Sequence, residues 1–92
     1  MKKVALVTGG SRGIGLGIAT HLAQSGFDLA INGMREESSV GEVLEALRKI
    51  GANVLYCQGN VASSEDRNSI VQKVKTHFGR LDVLDPRRRV TR

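Results

Sequence analysis

Tryptophan is absent from the 92-residue chain, and Phe27, Tyr56 and Phe78 are its only aromatic residues. Any core must therefore be aliphatic, filled by Val, Ile, Leu and Ala. Cys57 is the single cysteine, which excludes an internal disulfide; its place in an apolar run fits a reducing compartment. Long apolar runs are missing too. Met1-Lys2-Lys3 leads into four apolar residues, too few for a signal-peptide core or a membrane span, so a cytoplasmic location without membrane attachment is expected. Charge is unevenly spread. The formal net charge is +5, but residues 85–92 hold four arginines against one aspartate, which leaves only +2 on the other 84 residues.

Four short apolar runs punctuate the chain: Val4-Ala5-Leu6-Val7, Leu29-Ala30-Ile31, Val54-Leu55-Tyr56-Cys57 and Leu81-Asp82-Val83-Leu84. Runs of this length without strict alternation suit strands buried on both faces of a parallel sheet. Three segments of helical periodicity lie between them. Ile14, Ile18 and Leu22 with Ala19 and Ala23 form one stripe, closed by Gly26. Val40, Val43, Leu44, Leu47 and Ile50 form a second, closed by Gly51; Ile70, Val71, Val74 and Phe78 form a third, closed by Gly79. A glycine just past each stripe is a left-handed helix stop. Ser39 to Glu42 reads as a capping box for the second helix, and Ser63 to Asp66 as a similar opening for the third. The alternation β-α-β-α-β-α-β predicts right-handed crossovers on one parallel sheet.

The stretch Thr8-Gly9-Gly10-Ser11-Arg12-Gly13-Ile14-Gly15 falls between the first strand and the first helix. So many glycines weaken regular structure, so the backbone must need room that side chains would take. Glycine permits a tight turn, and it lets a phosphate reach main-chain amides at the positive end of the helix dipole. A triphosphate-binding P-loop would need Gly-Lys-Ser/Thr, whereas Gly15 is followed by Leu16-Gly17. A pyrophosphate at the first strand–helix turn is the reading that remains.

This stretch has the Thr-Gly-x-x-x-Gly-x-Gly form of short-chain dehydrogenases/reductases, and it most resembles 3-oxoacyl-acyl-carrier-protein reductases. The similarity runs from Val4 to Leu84 and includes His77-Phe78-Gly79-Arg80-Leu81-Asp82-Val83-Leu84. It implies a Rossmann-type three-layer α/β fold with strand order 3-2-1-4, here incomplete at four strands and three helices. It also implies a nicotinamide dinucleotide partner and a reductase role in fatty acid biosynthesis. By the same resemblance, Gly9, Ser11, Gly13, Ile14 and Gly15 surround the phosphates. Asn60-Val61 stands where the family has Asp-Val against the adenine, and the Asn60 carbonyl oxygen would accept from the adenine amino group.

Dinucleotide choice depends on the tip of the second strand, where an acidic side chain holds the ribose hydroxyls of NAD. That tip falls near Gly33. Asp28 lies at the other end of the strand, roughly 15 Å away at the usual rise per residue. Arg12 and Arg35 are placed to meet a 2′-phosphate, with which a guanidinium makes paired hydrogen bonds. NADP is therefore expected over NAD.

Family reductases use Ser, Tyr and Lys, the last two spaced Tyr-x-x-x-Lys, to orient the carbonyl and donate the proton. Tyr56 is followed four positions later by Asn60 and lies within the third strand, so it reads as a core or edge residue and no catalytic residue is assigned. His21 and His77 read as solvated helix residues, and no metal-ligand spacing is present. Family-like sequence stops at Leu84, giving a truncated dinucleotide-binding unit over 1–84 and a basic tail over 85–92. Such a unit would leave strands 3 and 4 as open edges and lack the later helices through which the family usually forms homo-oligomers. The second reading is a noncatalytic binding module whose arginine tail contacts a polyanion; nucleic acid is disfavoured because no aromatic or second basic patch accompanies the tail.

Overall fold

A computed structural model describes residues 2–11 and 13–84. Arg12 and the basic tail over 85–92 lie outside the described residues. The elements run β1 (Val4–Thr8), α1 (Gly13–Gln24), β2 (Asp28–Gly33), a 3-10 turn (Glu37–Val40), α2 (Gly41–Ile50), β3 (Val54–Gln58), α3 (Ser64–Phe78) and β4 (Val83–Leu84). All pairings are parallel and the strand order is β3-β2-β1-β4, as expected from the sequence.

The pleat divides the core in two. Ala5, Val7, Leu29, Ile31, Val54 and Tyr56 point to the side covered by α1 and α2, where they meet Ala19, Ala23, Leu44 and Leu47. Val4, Leu6, Ala30 and Cys57 point to the other side, against Ile70 and Val74 of α3. Burying both faces of β1 at once explains why its sequence is continuously apolar rather than alternating. Each fully buried aliphatic side chain of this kind contributes about 1.5–3 kcal/mol before entropy is subtracted.

Helix ends follow the glycine signals. Gly26, Gly51 and Gly79 all have positive φ, and the Gly79 amide donates to the Lys75 carbonyl at 2.8 Å. Ser63 caps α3, its hydroxyl accepting from the Asp66 amide at 3.3 Å. The expected capping box over Ser39–Glu42 does not form. Val40 occupies the N-cap of α2, because the preceding residues coil into the 3-10 turn and deliver the chain already wound.

Three apolar positions also depart from the stripes. Ile14 is 76% exposed, since the first turn of α1 projects beyond the sheet, and Leu16 packs against the core instead. Val40 is buried but precedes α2, and Ile50 is 39% exposed at its end. The fourth strand is shorter than its apolar run. The Asp82 carboxylate accepts the Val4 amide at 2.8 Å, and the β1–β4 ladder begins only at Val83.

The outer edge of β3 is protected. The Asn53 carbonyl pairs inward with Leu29, so the alternating carbonyls of Val54 and Tyr56 face away from β2. Arg48 donates to the first at 3.0 Å and Lys73 to the second at 3.1 Å, which blunts an edge the sequence leaves open.

Candidate functional site

The C-terminal ends of β1, β2 and β3 converge on a cleft of about 330 Å³. In a parallel sheet with crossovers leaving to both faces, these ends are where a ligand finds room. The chain after β1 makes the first wall. Gly9 adopts φ +62° and Gly13 φ +60°, left-handed conformations that a side chain would strain. Between them the chain reverses into α1, whose first-turn amides have no carbonyl one turn back to bond.

Gly15 shows why this turn needs its glycines. A Cβ there would overlap the Gly9 carbonyl oxygen and lie 2.7 Å from the Gly9 carbonyl carbon. Close packing is thus against the turn's own backbone, not against the strand. At Gly13 a Cβ would meet no atom within 4 Å, so the space outside that turn is open. The main chain therefore forms a bare concavity at a helix N-terminus, the geometry that receives a phosphate.

The tip of β2 makes the floor. Asn32 is 3% exposed, and its side-chain amide donates to the Cys57 carbonyl at 2.9 Å and to the Gly59 carbonyl at 3.0 Å. Its own carbonyl accepts the Gly10 amide at 3.3 Å. The Asn32 side chain thus ties the tip of β2 to the end of β3 and the loop after it, and its main-chain carbonyl ties the same tip to the turn after β1. Beyond it, Gly33 carries no side chain, and Met34 and Arg35 rise on an exposed loop. Asp28 is at the far end of β2, where it accepts the Asn53 amide at 3.0 Å; its role is structural.

The chain after β3 makes the second wall. Asn60 accepts the Ala62 amide at 3.0 Å on Oδ1, and its own amide donates to Asp66 Oδ2 at 2.9 Å. Asp66 reaches past its own helix cap to hold this loop. A carbonyl oxygen has two lone pairs, so the Asn60 side chain keeps accepting capacity for a ligand.

Gly9, Ser11, Arg35, Asn60 and Val61 all line the cleft, while Gly13, Ile14 and Gly15 form the adjoining first turn of α1. Arg12 lies outside the described residues. Sequence reasoning missed Thr8, Asn32, Met34 and Gly59 as lining residues. Asn32 was detectable as a polar residue ending an apolar run; Asp66 gave no signal beyond its place in a helix cap.

Two titratable groups of β3 lie near this end of the sheet. Burial pushes the Tyr56 phenol above its ordinary value, with the nearby Arg35 guanidinium opposing the rise. Tyr56 is 3% exposed and donates to the Arg35 carbonyl at 2.6 Å, in keeping with a core or edge position rather than a catalytic one. Burial likewise raises the Cys57 thiol, so it stays protonated and unreactive. His21 and His77 are exposed on α1 and α3. Among the described residues no three His, Cys, Asp or Glu side chains gather as metal ligands, and no helix is long and apolar enough to cross a membrane.

Comparison with known proteins places this geometry. Hydroxynaphthalene reductase arp2 of Aspergillus fumigatus is 46% identical over 82 residues, which cover 89% of this chain and 30% of that enzyme. A 3-oxoacyl-[acyl-carrier protein] reductase from Brucella melitensis, solved in complex with NAD, superposes with a TM-score of 0.83 at 42% identity; the match covers 91% of this chain and 32% of that one. L-Sorbose reductase from Gluconobacter frateurii, solved with NADPH and L-sorbose, gives a TM-score of 0.82 at 36% identity over 90% of this chain and 32% of that one. The chain thus spans about a third of the length of these proteins. The family profile described as short chain dehydrogenase matches residues 3–85, and to that family the chain belongs.

Proposed function

We propose that this chain is the NADP-binding portion of a reductase that delivers hydride to the carbonyl of a 3-oxoacyl thioester or a similar substrate. The observation that carries the reading is the glycine-rich turn from Gly9 to Gly15, with positive φ at Gly9 and Gly13 and Gly15 packed on the Gly9 carbonyl, at the start of α1. Support for a nicotinamide dinucleotide comes from the two solved relatives, one holding NAD and the other NADPH. Bound in this cleft, such a group would supply the hydride.

The chain's own residues act on the cofactor's adenine half. Amides of Gly13, Ile14 and Gly15 would bind the pyrophosphate, with Gly9 and Ser11 beside them. Asn60 and Val61 would receive the adenine. The absence of a carboxylate at Gly33 and the presence of Arg35 favour a 2′-phosphate over free ribose hydroxyls. Arg12 joins Arg35 in this reading from its place in the sequence. No proton donor is assigned in this reading; Tyr56 donates to the Arg35 carbonyl. Residues 1–84 would form the dinucleotide-binding unit and 85–92 a basic tail, in the cytoplasm.

Titration of the chain with NADPH and NADH, followed by the fluorescence of the reduced nicotinamide, tests the reading. NADPH binding at least several-fold tighter than NADH is expected. Tighter NADH binding would overturn the preference, and binding of neither would overturn the function.

A further inference from the structure

We propose that Tyr56, on the third strand, is a positioning residue that sets the cofactor preference, by denying the β2 tip a side chain and by holding the loop that carries Arg35. The inference rests on the NADP reading above and assigns the cause of that preference to a residue outside the glycine turn.

The hydroxyl of Tyr56 does two things at once. It donates to the Arg35 carbonyl at 2.6 Å, fixing the main chain just beyond β2. It also occupies the space over Gly33: a Cβ there would lie 2.7 Å from Tyr56 Oη, 3.5 Å from Cζ and 3.6 Å from Ser11 Oγ. Real Cβ contacts do not fall below 3.0 Å, so a side chain at Gly33 requires the phenol to move. The phenol is poorly free to do so. Its ring is packed in the core on the α1–α2 side, and its hydroxyl is anchored. An acidic residue at this tip is the usual way to hold the ribose hydroxyls. Here its first atom collides with a fixed oxygen.

The same hydrogen bond prepares the alternative. Arg35 sits on a tethered backbone, and its guanidinium lies near enough to Tyr56 to oppose the rise of the phenol's pKa. Among the described residues it has no salt-bridge partner. A cation whose main chain is already held loses less freedom on meeting a phosphate, which makes the contact more favourable.

Tyr56→Phe keeps the ring in the core and removes only the hydroxyl, so the readout is the ratio of NADPH to NADH affinity. The inference expects NADPH to bind about five- to tenfold more weakly. NADH affinity should stay within about twofold, the span left to a contact that only the 2′-phosphate makes. A merely structural role would weaken both together. Gly33→Asp supplies the second arm. With Tyr56 intact it should depress binding of both cofactors. Combined with Tyr56→Phe it should recover NADH binding, because the nearest phenol atom is then Cζ at an ordinary contact distance.

An unmoved affinity ratio in Tyr56→Phe, in a chain that itself prefers NADPH, would overturn this inference and leave the NADP reading standing. Equal NADH binding by Gly33→Asp with and without the hydroxyl would also overturn it. A parent chain that prefers NADH, or binds neither cofactor, would remove the NADP reading and this inference with it.

Discussion

A side chain on Gly15 would occupy the place of the Gly9 carbonyl oxygen. Helix start and turn are therefore packed main chain against main chain, and neither can back away without unwinding α1 or opening the turn. Gly15→Ala should destabilise the fold by about 1–3 kcal/mol, the range of overpacked sites. It should also abolish cofactor binding. Urea denaturation measures the first and fluorescence titration the second. Gly13→Ala, strained but unobstructed, should cost about 1–2 kcal/mol.

The Asn32 side chain is joined to both the β3 end and the loop after it. Asn32→Ala removes two hydrogen bonds, one to the Cys57 carbonyl and one to the Gly59 carbonyl. A loss of about 1–3 kcal/mol is expected from denaturation. Cofactor affinity should fall with it, since Gly59 and Asn60 move when Asn32 lets go.

Arg35 is exposed, so its replacement should spare the fold. Arg35→Ala is expected to weaken NADPH binding about five- to tenfold and leave NADH within about twofold. Paired titrations on the same preparation check this.

Asp82 ties the start of β4 to the start of β1. Hydrogen bonds from Arg80 and from the Val4 amide hold its carboxyl below the ordinary value of 3.8. The folded chain therefore binds this proton less readily than the unfolded chain. Its contribution to stability is complete above the ordinary carboxylate value and is lost as the pH falls through the lowered folded value. Denaturation across the acid range should show this decline, and Asp82→Asn should flatten it.

The four strands, the parallel sheet and the helix stops could be read from residues alone, because apolar runs, glycines and their alternation act locally; the strand order came from the family resemblance. Ile14 falls on the apolar stripe of the first helix yet is 76% exposed, because periodicity does not reveal which part of a helix faces the sheet. The Ser39–Glu42 capping box failed because a 3-10 turn, which has no strong sequence mark, winds the chain before α2 begins. β4 shrank because a side chain took the amide a ladder would have used. Asn32, Tyr56 and Asp66 matter through partners 25, 21 and 6 residues away, and no local pattern announces such contacts.

Amide chemical shifts of the isotope-labelled chain, followed as NADPH is added, bear on the whole account. Saturable shifts at Gly9, Gly13, Ile14 and Gly15, with smaller ones at Asn60 and Val61, are the predicted result. Saturable binding whose shifts leave those amides still and gather elsewhere, such as the outer face of α3, would contradict it.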